Sequence, residues 1–266
     1  MDFDNLISPL DRSEFMTRYR AGDCFVIRGD QEKFSQLISL ADIERRLNDG
    51  CNLNQPPQII MDGLRQPLMD SKVAWSSTAA KKTEILRRLE TGHSFMMTNL
   101  SQINPAISVL IDGIEEALAV DDMRADLHLY VSTRGSATAY NAHRDYPQHK
   151  IYLQVIGITE WHVYHHSPDL GNDIRAVDAE NESDYLEEAA CFELNPGDLF
   201  YMPPAVFHKI RNTGGPRVSL SIPIAPAGGK RMDRTYIPFE RLFREGAEAG
   251  NRVSEDPGQG GSDLPG

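Results

Sequence analysis

Three side chains have the types and spacing of a metal site. His143-Arg144-Asp145 sets an imidazole and a carboxylate two residues apart, so on an extended segment both point to one face and Arg144 to the other. His208 supplies a third ligand, 65 residues beyond His143, after the turn-rich Asn195-Pro196-Gly197-Asp198 and the apolar run Leu199 to Met202. Two histidines and one carboxylate bind one face of an octahedral Fe(II) and leave the opposite positions open for a co-substrate and dioxygen. Arg217-Val218-Ser219 begins nine residues after His208, and its two polar side chains share one face of an apolar strand. An arginine turned inward there costs desolvation unless it meets an anion, such as the distal carboxylate of a dicarboxylate; the alternative is a rim arginine paired with a surface acid.

These residues need rigid elements to hold them, and the hydrophobic pattern provides candidates. From Ala125 onward the period is 2, with Leu127, Leu129 and Val131 alternating with His128, Tyr130 and Ser132. Further strands are predicted at 151–156, 160–164, 191–194, 198–202, 207–210 and 217–222, separated by Gly, Pro and Asn turns. So many short strands suggest a sandwich or barrel. Before them, a strand at 22–29 and helices at 34–47, 79–90 and from Asn104 onward are expected, the last capped by Asn104 with Pro105 in its first turn. Residues 169–188 read as an acidic surface loop with a short helix at 183–189. The chain thus divides into a helix-rich segment 1–122, a β core 123–227, a helical segment 228–246 and a disordered tail 247–266 rich in Gly, Pro, Ser and acids.

His143-x-Asp145, His208 and Arg217-x-Ser219, in this order, resemble the pattern of Fe(II)- and 2-oxoglutarate-dependent oxygenases. The context Tyr152-Leu153-Gln154-Val155-Ile156-Gly157, Trp161 and Leu194-Asn195-Pro196-Gly197-Asp198 is similar to their cupin-like and JmjC branch, as is Phe25-Val26-Ile27-Arg28-Gly29 ahead of a helix. The resemblance spans roughly residues 10 to 225. It implies a mainly β fold with flanking helices, a double-stranded β-helix (jelly-roll, cupin-like) core, and iron held by His143, Asp145 and His208. It further implies 2-oxoglutarate as co-substrate, oxidised with dioxygen to succinate and carbon dioxide as the substrate is hydroxylated. The branch usually carries a co-substrate lysine two residues before the position of Trp161, where this chain has Thr159. Arg217 with Ser219 resembles the replacement used elsewhere in the superfamily. Lys150, seven residues after His143, is a second candidate for co-substrate or substrate, and Tyr140 occupies a place where the family often hydrogen-bonds the co-substrate.

Composition narrows the partners. The chain has 266 residues, 40% hydrophobic and 25% charged, with a net charge of −12, so a phosphate backbone is repelled and nucleic acid is not expected. Cys24, Cys51 and Cys191 fit neither a disulfide framework nor paired metal knuckles, and point to reduced thiols in the cytoplasm. Early acids and short apolar runs leave no signal peptide or membrane span. In Trp161-His162-Val163-Tyr164-His165-His166, alternation sends His162 and His166 to one face and His165 to the other, which reads as a solvated strand edge. A small-molecule substrate is expected, because only about forty residues follow the core. The alternatives are a protein or peptide hydroxylase, or a non-oxidative metal-binding cupin. Oligomeric state is not legible.

Overall fold

Two long strands do most of the positioning in the computed structural model. It describes residues 1–52, 57–61, 64–66, 68, 74–118, 123–134 and 140–226. In chain order the elements are α1 (Phe3–Ile7), α2 (Arg12–Ala21), β1 (Phe25–Ile27), α3 (Leu40–Asn52), β2 (Gln58–Met61), β3 (Leu64–Gln66), α4 (Ala74–Glu90) and β4 (Ser94–Met97). They continue with α5 (Pro105–Ala117), β5 (Met123–Ala125), β6 (His128–Ser132), β7 (His143–Arg144), β8 (His149–His166), α6 (Glu182–Tyr185), β9 (Leu186–Leu194), β10 (Leu199–Met202) and β11 (Phe207–Pro226). The expected helical segment 228–246 and the tail 247–266 lie outside the described residues.

β8 and β11 pair antiparallel almost end to end, from Ile224 opposite His149 to Phe207 opposite Tyr164. Each unites two of the expected strands. The Gly and Pro signals read as strand ends are bends within continuous strands, where the register shifts between Asn212 and Ser219. Gly157 is one such bend: its φ is +77°, and a Cβ there would collide with the Pro216 carbonyl oxygen. All described strands join one sheet in the order β1-β10-β8-β11-β6-β4-β2-β3, with β5 and β7 added to β11 and β9 to β8. The N-terminal strands are therefore hydrogen-bonded into the core. This is the mainly β, double-stranded β-helix architecture with flanking helices.

Alternation sorts the two faces of the sheet. Val218, Leu220, Ile222 and Ile224 of β11 join Leu129 and Val131 of β6 in the main apolar core, against Phe3, Leu6, Phe15, Ile107, Leu110 and Ile114 of the helices. Ser219 and Ser221 alternate with them, opposite Tyr130 and His128 of β6. α5 begins as expected, with Asn104 Oδ1 accepting from the Ile107 N–H and Pro105 in the first turn.

Two expectations at the element level change. The helix predicted over 34–47 begins at Leu40, because Ser39 and Asp42 form a reciprocal cap: the Asp42 carboxylate accepts the Ser39 N–H and the Ser39 hydroxyl accepts the Asp42 N–H. The helix predicted over 183–189 ends at Tyr185, and Leu186 onward is captured by the edge of β8 as β9. No helix among the described residues is long and apolar enough to cross a membrane.

Candidate metal centre

Register assembles the site. β7 pairs with β11 so that His143 stands directly opposite His208, with ring centroids 4.3 Å apart. Asp145 lies just beyond β7, held by its carbonyl, which accepts the Ala205 N–H. One ligand atom from each of His143, Asp145 and His208 lies within 4.8 Å of the others, so the three residues gathered from the sequence do come together. The Nδ1 atoms of His143 and His208 lie 2.8 and 3.1 Å from the carbonyl oxygens of Asn141 and Val206. A carbonyl only accepts, so each Nδ1 carries the proton and each Nε2 presents a bare lone pair.

His208 Nε2 is buried, has no hydrogen-bond partner among the described residues, and lies 3.8 Å from Asp145 Oδ2. A bare nitrogen facing a carboxylate out of water is an unsatisfied pair of acceptors that a cation between them resolves. Two nitrogens and one oxygen on one side fit the facial donor set of a non-haem Fe(II). Burial, with His143 beside it, pushes the His208 pKa down to about 3, which keeps the ring a neutral donor. Burial works to raise the Asp145 pKa, but Lys150, then His208 and His143, outweigh it and hold the carboxyl below its ordinary value.

The shell behind the ligands is specific. Trp161 stacks on His208 at 5.8 Å, and its indole N–H donates to Thr159 Oγ1. Thr159 and Ser219 hydroxyls donate to Gln154 Oε1, while Gln154 Nε2 donates to the carbonyls of Ile156 and Gly157. Thr159, the departure from the family lysine, is thus an orienting residue here. Arg144 turns away from the ligands as alternation requires, yet it is buried. Its guanidinium donates to the carbonyls of Ile174 and Gly171 and lies 4.8 Å over the Phe207 ring. The expected surface loop 169–188 therefore clamps the ligand strand: Arg144 N–H donates to the Arg175 carbonyl, and Val177 N–H to that of Ala142.

A cavity of about 320 Å³ opens onto the ligands, lined among others by Arg65, His128, Tyr130, Tyr140, Lys150 and Tyr152. A larger hollow of about 520 Å³ beside Arg28 and Lys33 carries no histidine or cysteine and is far less suited to the chemistry. Lys150 is buried, its Nζ 3.4 Å from Asp145 Oδ2; burial lowers its pKa against the opposing pull of Asp145. Tyr140 meets the His143 ring edge-on at 5.5 Å. Arg217 and Ser219 lie outside this lining. The Ser219 hydroxyl is committed to Gln154, and the Arg217 guanidinium stands 6.0 Å from the Tyr130 ring with a buried Nε that has no hydrogen-bond partner among the described residues. Burial pushes the Arg217 pKa down to about 10. Sequence reasoning missed Arg144 and His128, whose roles depend on distant chain; Gln154 was visible only as part of the run 152–157.

The JmjC domain family model matches residues 108–230, a span that contains His143, Asp145 and His208. This stretch is therefore similar to a JmjC domain, the cupin-like branch of the fold on which Fe(II)- and 2-oxoglutarate-dependent oxygenases are built. Among solved structures the chain is similar to YcfD of Escherichia coli, at 16% identity and a TM-score of 0.54, over 97% of this chain and 62% of that one. A second structure, described as YcfD, a ribosomal oxygenase, in complex with cobalt and 2-oxoglutarate, matches at 16% identity and a TM-score of 0.52, over 97% and 61%. The chain spans about three-fifths of the length of these relatives. No curated protein matches it.

Proposed function

We propose that this chain is an Fe(II)- and 2-oxoglutarate-dependent dioxygenase that hydroxylates a protein or peptide. The observation that carries the reading is the buried, bare Nε2 of His208 facing Asp145, with His143 across the strand pair. Bound there, Fe(II) with 2-oxoglutarate supplies the oxidising power drawn from dioxygen, releasing succinate and carbon dioxide.

The chain's own residues supply charge balance, orientation and shielding. A divalent ion, one ligand carboxylate and a dicarboxylate leave one negative charge over, and the Lys150 ammonium lining the cavity neutralises it. We therefore assign the co-substrate carboxylate to Lys150, with Tyr140 beside it, ahead of Arg217 and Ser219. The buried Arg217 Nε without a partner keeps a second arrangement in view, in which the co-substrate reaches deeper behind Tyr130. Trp161, stacked on His208, excludes water from that ligand's far side.

Substrate class follows from size and likeness. About 320 Å³ is at the small end for a ligand pocket, so a co-substrate inside it leaves room for a reaching side chain rather than a whole second molecule. YcfD is described as a ribosomal oxygenase, which supports a protein target in the cytoplasm. A net charge of −12 favours a basic partner. Succinate release with Fe(II) and 2-oxoglutarate tests this: basic peptides from ribosomal proteins should stimulate it more than free amino acids, and less so at high salt. Stimulation by a free amino acid alone would restore the small-molecule reading.

A further inference from the structure

The β8–β9 hairpin carries a second group of metal-ligating side chains, on the face opposite Trp161. His162 stands directly across from Cys191, and Tyr164 from Glu188. Simple alternation would turn Glu188 away from Cys191, but the irregularity beside Val163 and Tyr164 places an extra residue in β9 and returns Glu188 to that face. One ligand atom from each of His162, Glu188 and Cys191 then lies within 4.8 Å of the others.

His162 is not the solvated edge residue its sequence suggests, since its side chain is only 14% exposed. Its Nδ1 donates to Glu188 Oε2 at 2.8 Å. Its Nε2 is buried without a hydrogen-bond partner among the described residues, 3.7 Å from Glu160 Oε2. Both ring nitrogens therefore face carboxylates, an arrangement of donors that a bound cation satisfies. Glu193 adds a further negative charge opposite Glu160. On the β11 side, Lys209 is engaged by Glu182 at 2.6 Å, and Arg211 lies across from Glu160.

We propose that His162, Glu188 and Cys191 bind a divalent, thiophilic cation of the zinc type, with Glu160 as a fourth donor. A sulfur, an imidazole nitrogen and carboxylate oxygens are the donors such an ion takes in four-coordinate sites. The Cys191 thiol releases its proton to solvent on binding, because the thiolate is the ligand form. The bound ion fastens β9 to β8, behind the strand that carries Lys150 and Trp161. The site is independent of the function proposed above, since it shares no ligand with the His143–Asp145–His208 centre.

Anaerobic Co(II) titration of the full chain separates the two sites, because the cavity at His143 has the Met96 thioether but no cysteine among its described lining residues, and only a thiolate gives the band. The expected result is a sulfur-to-cobalt charge-transfer band in the near ultraviolet that saturates with about one equivalent of ion. It should persist in His208→Ala, vanish in Cys191→Ser, and need at least about tenfold more Co(II) in His162→Ala. Zn(II) should displace it. Absence of the band overturns the proposal, and so does a band that survives Cys191→Ser, which would assign the sulfur to Cys24 or Cys51. Unchanged affinity in His162→Ala would also overturn it.

Discussion

At the scale of residues, the centre depends on which polar atoms are left without partners. His143 and His208 spend their Nδ1 protons on carbonyls of their own strand ends, and this leaves two bare nitrogens beside one carboxylate. Lys150 is the buried cation nearest that carboxylate. Lys150→Met should raise the KM for 2-oxoglutarate about 10- to 100-fold, the loss of one charge-assisted bond, while Arg217→Met changes it far less. Steady-state succinate assays decide, and the reverse order would move the anchor to Arg217. His128, in the same cavity, has its pKa pushed down to about 4 by burial, with Lys150 adding to the effect. Its ordinary value is 6.5, so the unfolded chain takes up this proton first, and stability is complete above that pH and falls as pH drops toward 4. His128→Gln removes that component, on the order of 3 kcal/mol, so urea melts at about pH 7 and about pH 4.5 should differ less in the variant than in the wild type.

At the scale of elements, the bends within β8 and β11 decide where functional side chains point. The His143-x-Asp145 pair and the alternation of β6 were legible in the sequence because both rest on local spacing, whereas His208, 65 residues on, was reached through the turn-rich run and apolar strand that lead to it. The continuity of β8 was not, since Gly157 marks a turn and a bend by the same residue type, and only pairing with β11 distinguishes them. The loop 169–188 is exposed along most of its length, as its sequence suggests, but its carbonyls also hold Arg144, a contact that no local pattern announces. β9 was half seen, because the edge of β8 overrides a weak helical tendency after Tyr185. At Gly157, φ is +77° and a Cβ would meet the Pro216 carbonyl. Gly157→Ala should therefore destabilise the fold by about 1–3 kcal/mol and loosen the carbonyl that Gln154 holds. Denaturant melts check this, and a stability equal to wild type would show that the bend is not fixed by that residue.

At the scale of the whole molecule, a sheet with one apolar face under helices and one polar face around a cavity gives an acidic chain a place for the acidic co-substrate proposed above. The net charge of −12 describes the full sequence, whereas Lys150 and Arg217 are buried cations within the core. The JmjC domain match gives the frame, Thr159 at the departure is hydrogen-bonded to Gln154 and Trp161, and the proposed function gives the missing charge to Lys150. The most direct test is optical: 2-oxoglutarate added without oxygen to the Fe(II)-loaded chain should produce a metal-to-ligand charge-transfer band, and His208→Ala should lose it. A wild-type protein with no band, or a variant that keeps it, would contradict the metal centre assigned to His143, Asp145 and His208.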